Sequence, residues 1–213
     1  VVRDGGSRAP GRLIAVVGLD GAGKSTQVPA LGDWLTSVGV PTQVQVSVSM
    51  APVRKALSVI AAEDGYADHL ELIGAETMRL ISACNKLARV APVERSLRES
   101  GGVVVMDRYT YCQYALASAQ RAGDVRFLRR LFAGTPKPDL TLFLDVEPEE
   151  AARRVDERGV DVESVQFLKE FREAYQALPE FADFVRVDGN GTPEEVQECL
   201  RTAVRVNLPE LFS

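Results

Sequence analysis

The segment GLDGAGKST, residues 18–26, carries the residue types that phosphate chemistry needs, at the spacing it needs. Gly18, Gly23, Lys24 and Ser25 satisfy the pattern G-x-x-x-x-G-K-[ST]. Glycines let the chain curl until successive N–H groups aim at phosphate oxygens, and a helix opening at Lys24 adds the positive end of its dipole. The lysine neutralises β- and γ-phosphates, and the serine hydroxyl is placed to hold Mg²⁺. Gly18, Gly21, Ala22, Gly23, Lys24, Ser25 and Thr26 are therefore the candidate ATP contacts.

A second group lies in VVVMDRYTYCQ, where Asp107, Arg108 and Tyr109 close an apolar run. Ligands of an open α/β sheet bind beyond the carboxyl ends of its strands, so an acid and a base placed there are candidates to act on substrate. A strand-end Asp paired with a surface Arg looks the same in sequence. A third group, Arg153, Arg154 and Arg158, stands on the helical pattern EPEEAARRVDERG and by itself reads as a solvated helix face.

These side chains need a scaffold, and the rest of the chain spells one. Short apolar runs at 13–17, 42–48, 103–106, 140–144 and 184–187 alternate with helical patterns, which predicts βαβ units and a five-stranded parallel sheet covered on both faces. Helices are expected at 24–37, 53–62, 69–90 as one long element, 91–100, 111–120, 124–134, 147–159, 163–178 and 192–205. The last opens with Thr192 as N-cap, Pro193 at the first helical position and Glu195 completing a capping box. The charged stretch 153–163 has too few apolar residues to pack as core and is the one candidate inserted element.

The bulk numbers close off other classes. With 213 residues, 46% of them hydrophobic and 26% charged, the chain suits one globular domain with or without an inserted lid. A net charge of −5 supplies no basic footprint for a nucleic acid polymer. No apolar run reaches the roughly 20 residues of a membrane helix. Cys84, Cys112 and Cys199 show no paired spacing; they read as buried thiols in a reducing cytoplasm. His69, the single histidine, follows GYAD and reads as a surface residue. Residues 1–11, rich in Gly, Arg and Pro, are expected to form a flexible leader outside a single domain at 12–213.

Taken in order, GLDGAGKSTQ, MDRY, PKPDLTLFLDVEPEEAARRVDERG and FLKEFREAYQAL resemble thymidylate kinase over nearly the whole chain after the leader. The resemblance implies a P-loop NTPase fold of three α/β/α layers, a short helical lid at 153–163, a homodimer formed by helices, and transfer of the ATP γ-phosphate to a nucleoside monophosphate with Mg²⁺. It implies that Asp20 is the P-loop acid near the acceptor sugar and metal, that Arg108 grips the acceptor 5′-phosphate, and that Asp107 lies near the Mg²⁺ waters. Tyr109 and Gln113 join them on the acceptor side, and Arg154 and Arg158 match lid arginines. Elementary charge needs agree: the loop has no basic residue before Lys24, while the transition state requires positive charge around the equatorial oxygens, which a hinged lid can supply while excluding water.

On the acceptor side the resemblance loosens. The stretch VQVSVSMAPVRKAL has serines where a phosphate-clamping arginine is expected, leaving Arg54 or Lys55 as substitutes. Where the family has a phenylalanine that stacks on thymine and an arginine that bonds it, RLISACNKLARV offers Ser82 and Lys86, neither a conservative exchange. Tyr111 could supply the missing ring, and Cys112, Gln113 and Leu116 replace other pocket positions. Asp161 and Glu163 compete for the role of lid acid. Three readings are open at this point: a dTMP kinase with a drifted pocket, a relative acting on a modified nucleotide or other small acceptor, and an ATP-binding module without catalysis.

Overall fold

Five apolar segments form the expected sheet, every pairing parallel: β1 (Arg12–Gly18), β2 (Thr42–Gln45), β3 (Val103–Asp107), β4 (Leu140–Asp145) and β5 (Val185–Asp188), in the order β2-β3-β1-β4-β5. The computed structural model describes residues 11–121, 123–159 and 163–212. Residues 1–10 of the expected leader and Asp161 lie outside the described residues. Gly11 belongs to the fold, its N–H donating to Leu97 O at 3.2 Å.

The helices are α1 (Lys24–Ser37), α2 (Ala51–Glu63), α3 (His69–Ile73), α4 (Ala75–Val90), α5 (Val93–Ser100), α6 (Thr110–Ala119), α7 (Val125–Leu131), α8 (Pro148–Arg158), α9 (Val165–Gln176) and α10 (Pro193–Asn207). The chain leaves β1 toward β2 through α1 and leaves β3 toward β4 through α6. These crossovers run in opposite directions along the sheet, so right-handedness puts their helices on opposite faces. α1 and α10 pack together on one side, α6 and α9 on the other. With both faces covered, residues 13–17 and 142–144 are fully buried, which is why these strands read as unbroken apolar runs. The strand order reverses between β1 and β3, and the crevice at such a switch point is where open α/β sheets bind ligands.

Some expectations need correction. β2 ends at Gln45, short of 48, because the chain turns there toward β3 and the N–H of Ser47 donates to Asp107 Oδ2 at 3.3 Å. The single helix expected over 69–90 breaks into α3 and α4 at Gly74, whose φ of 80° and ψ of 150° only glycine adopts easily. Within the stretch 153–163, read as too poor in apolar residues to pack as core, Val155 of α8 is buried, 3% exposed. Cys84 and Cys199 are exposed, and only Cys112 is a buried thiol. The capping box of α10 is formed as read, with Thr192 Oγ1 accepting from the Glu195 N–H at 3.3 Å and Glu195 Oε2 from the Thr192 N–H at 2.8 Å.

Candidate active site

β1 carries Gly18 to the carboxyl edge of the sheet, and the chain then curls back under the start of α1. Gly21 sits at φ 83°, where a Cβ would lie 2.1 Å from Ala151 O, so any side chain would collide with the start of α8. Gly23 caps α1 from the left-handed region at φ 86°. The N–H groups of Thr26 and Gln27 both turn onto Gly23 O at 3.0 Å, closing the first turn of the helix behind the loop. Ser25 and Thr26 are exposed on that turn, open to a ligand.

Lys24 is 5% exposed, and its ammonium donates to the loop carbonyl of Gly18 at 3.0 Å and to that of Leu19. Burial pushes its pKa below the ordinary 10.5; the charge of Asp107 pulls it up, Arg158 presses it down and Glu163 raises it. Residues from β3, α8 and the segment after α8 thus bear on one buried ammonium.

Arg108 is held at φ 62°, uncommon for a residue with a side chain, while its N–H donates to Val16 O at 2.9 Å. Its guanidinium pairs with the carboxylate of Asp20 in the P-loop. Asp107 is 6% exposed: Oδ2 accepts from Ser47, and Oδ1 has no hydrogen-bond partner among the described residues. No three His, Cys, Asp or Glu side chains of the described residues gather as a metal cage. The exposed hydroxyl of Ser25 and the free Oδ1 of Asp107 suit Mg²⁺, which keeps waters and takes few protein ligands when phosphates supply the rest.

α8 distributes its three arginines differently. Arg153 is tied to Glu150 at 2.7 Å and to Glu157, on the solvent side. Arg154 bonds Glu150 at 2.7 Å and reaches the carbonyls of Gly189 at 2.9 Å and Asn190 at 3.4 Å. Arg158 donates to Arg154 O at 3.3 Å and is exposed. The charge of Arg158 is among those that act on Lys24. Gly189 and Asn190 went unnoticed in the sequence; the turn DGNG was their signal. A Cβ on Gly189 would meet Val146 at 2.5 Å and Ala22 O at 3.8 Å, so this turn lies beside the P-loop. A second unread anchor is Asp145, gripped by Arg172 at 2.7 Å and by Arg186, which fastens α9 to the end of β4. Its two guanidinium partners hold its carboxyl below the usual range although burial opposes them as the largest single influence.

The acceptor-side residues divide. Gln113 is buried, with Oε1 unpartnered. Ser82 turns its hydroxyl back onto Met78 O at 3.0 Å, and Lys86 is 7% exposed on the buried face of α4. Lys55 is exposed and Arg54 half-buried. Tyr109, expected on the substrate, is 1% exposed with its hydroxyl donating to Pro136 O; burial raises its pKa. It is a packing residue. Tyr111 cannot lend a ring to a base either: 6% exposed, it packs on Phe184 at 4.9 Å and Tyr109 at 5.5 Å. His69 Nδ1 lies 3.0 Å from Ser58 Oγ, a hydrogen bond that joins α3 to α2.

A glycine cradle with a buried lysine, an arginine of the neighbouring strand turned onto that cradle, and arginines on the helix after β4 define a P-loop phosphotransferase of the nucleoside monophosphate kinase class, with ATP as phosphoryl donor. The family model for thymidylate kinase matches residues 16–200. A thymidylate kinase of Arabidopsis thaliana is 30% identical over 200 residues, covering 94% of this chain and 73% of the plant protein. A probable thymidylate kinase of Archaeoglobus fulgidus is 33% identical over 195 residues, covering 90% and 94%. One from Trichodesmium erythraeum is 27% identical over 223 residues, covering 94% and 97%. The chain belongs to the thymidylate kinase family.

Proposed function

We propose that this chain transfers the γ-phosphoryl group of ATP to dTMP, giving dTDP and ADP, a step of nucleotide biosynthesis. The observation that carries the reading is the ion pair between Arg108 and Asp20, because it turns an acceptor-side guanidinium onto the loop that holds the donor-side ammonium. Lys24 leaves the carbonyls of Gly18 and Leu19 for the β- and γ-phosphates, while N–H groups of the loop cradle them. Arg108 exchanges Asp20 for the acceptor 5′-phosphate, a bidentate partner that suits guanidinium. Asp20 then faces the acceptor sugar. Arg158, an α8 arginine whose charge acts on Lys24, closes on the transferring group. Arg154 lies over the turn at Gly189 and borders the ATP side. Gln113, Ser82 and Lys86 surround the acceptor base. Ser25 and Asp107 would hold Mg²⁺, which would supply charge that offsets the β- and γ-phosphates when bound.

An apolar outer surface supports a homodimer: α2 buries only Ala61 and leaves Val53, Val59 and Ile60 exposed, with Leu70 and Leu80 nearby in sequence on α3 and α4. Three free thiols suit a reducing cytoplasm, and no described helix is long and apolar enough to cross a membrane. The deciding experiment measures ADP release over a panel of nucleoside monophosphates. dTMP should give the highest kcat/KM; no turnover with dTMP above ATP hydrolysis alone would end the proposal.

A further inference from the structure

Met50 is placed differently from the chain's other methionines. Met78 and Met106 are buried, 7% and 2% exposed, whereas Met50 is half-buried and stands outside the main apolar core. It is the N-cap of α2, its carbonyl accepting the Arg54 N–H at 2.9 Å. An N-cap favours Ser, Thr, Asp or Asn, whose oxygen can take an N–H of the first turn; a thioether is a poor acceptor, and the Met50 side chain makes no such bond. Helix stability therefore does not account for a methionine here.

Its surroundings do. The segment between β2 and α2 that carries it is tied to the end of β3 by the Ser47 N–H, which donates to Asp107 Oδ2 at 3.3 Å. From the other side, Asn85 of α4 donates from Nδ2 to Met50 Sδ at 2.8 Å. Asn85 shares a flank of α4 with Ser82, three residues before it, and Lys86 lies one turn on from Ser82. The thioether thus stands between the strand end that carries Arg108 and the helix turn that carries Ser82 and Lys86. Ser82 turns its hydroxyl back onto its own helix, and Tyr109 and Tyr111 pack inward, so none of the three offers a surface to a base.

We propose that Met50 is a specificity-determining residue of the acceptor site: one face of the acceptor's pyrimidine rests on its thioether, with the ring edge toward Lys86 and Gln113. This rests on the kinase reading, which puts the acceptor phosphate at Arg108. A polarizable sulfur and its methyl group lie favourably against an aromatic ring, and no aromatic side chain is needed. The bond from Asn85 fixes the sulfur beforehand, so less side-chain freedom is lost when the base arrives.

Met50→Ser removes the thioether and supplies an oxygen suited to an N-cap, so the variant should be no less stable than the parent in thermal unfolding. Calorimetry should show dTMP binding weakened about tenfold, the order expected when a methionine side chain is lost from a contact. Binding of 2-deoxyribose 5-phosphate, which has the sugar and phosphate but no base, should be the same in both proteins, and KM for ATP should not move. In protein isotope-labelled at its methionine methyl groups, the Met50 signal, assigned by its loss in Met50→Ser, should shift upfield under the ring current of dTMP and stay in place with the baseless ligand. A dTMP affinity within about a factor of two of the parent's, equal weakening of both ligands, or a Met50 methyl signal unmoved by saturating dTMP overturns the assignment. Turnover of dTMP by the parent tests the kinase reading separately. A chain that binds dTMP through Met50 without transferring phosphate ends that reading and leaves this one standing, and a chain that binds no dTMP ends both.

Discussion

Arg108 donates to Asp20 across the crevice between β3 and the P-loop, and it does so from a backbone at φ 62°. Such a conformation costs on the order of 1–3 kcal/mol for a residue with a Cβ. It is offset by the N–H bond to Val16 O and by the pairing itself. The left-handed turn is what aims the guanidinium over the sheet edge at the loop; with ordinary φ the side chain would leave β3 on another course. Backbone strain at this position therefore sets where the guanidinium points.

Two replacements separate them. Arg108→Ala should weaken dTMP binding by about 100-fold, the loss of a charge-assisted contact, while leaving ATP affinity within about a factor of three. Arg108→Gly should lose dTMP equally but be more stable than Arg108→Ala by about 1 kcal/mol, since glycine takes the left-handed backbone without strain. Calorimetric titration and thermal unfolding read the two effects, and equal stability of both variants would argue against strain at Arg108.

The arginines of α8 should part company kinetically. Arg158→Ala removes the charge felt by Lys24 and should lower kcat about 100-fold or more with little change in KM for ATP. Arg154→Ala removes bonds to the Gly189 and Asn190 carbonyls and should chiefly raise KM for ATP. Steady-state kinetics over ATP concentration checks both; a reversed pattern would exchange their roles.

How much of this was readable beforehand depends on the range of the interaction. β1, β3 and β4 stood out because burial on both faces leaves continuous apolar runs such as Leu13 through Val17, and the Lys24 loop because its spacing is set by backbone geometry a few residues long. Thr192 to Glu195 was equally local. Tyr109 and Tyr111 turn inward in a way their local sequence does not show: on α6 and the turn before it, adjacent residues point in different directions, and which ones meet Pro136 or Phe184 is decided by packing from far along the sequence. The break at Gly74 lay inside an amphipathic pattern, which one glycine interrupts without changing the period. Asp145 matters only through partners on another strand and helix, so no window of sequence exposes it.

The exposed face of α2 predicts an assembly. Ile60→Glu puts a charge among Val53, Val59 and Leu70, 39%, 53% and 44% exposed, and should leave the monomer folded. Sedimentation of the parent chain should give twice the chain mass, and of the variant the chain mass, at about 10 μM and unchanged Tm within about 2 °C. Equal masses would place the dimer contact elsewhere or remove it.

Lys24 makes the most direct electrostatic prediction. Burial holds its pKa below 10.5 in the free protein, so between the lowered value and 10.5 the folded chain binds fewer protons at this side chain than the unfolded chain does. Its contribution to stability therefore rises with pH across that window and is level above it. ATP brings phosphates to the ammonium and favours its charged form, reversing the depression. Nucleotide binding in the same window must then take up protons, and ATP affinity must fall as pH rises through it. Titration calorimetry in two buffers of different ionisation heat counts those protons. Lys24→Met should abolish the uptake, lower turnover about a thousandfold, and raise Tm because a buried charge is gone. Proton uptake that persists unchanged in Lys24→Met would assign the titration to another group and detach this lysine from the phosphates.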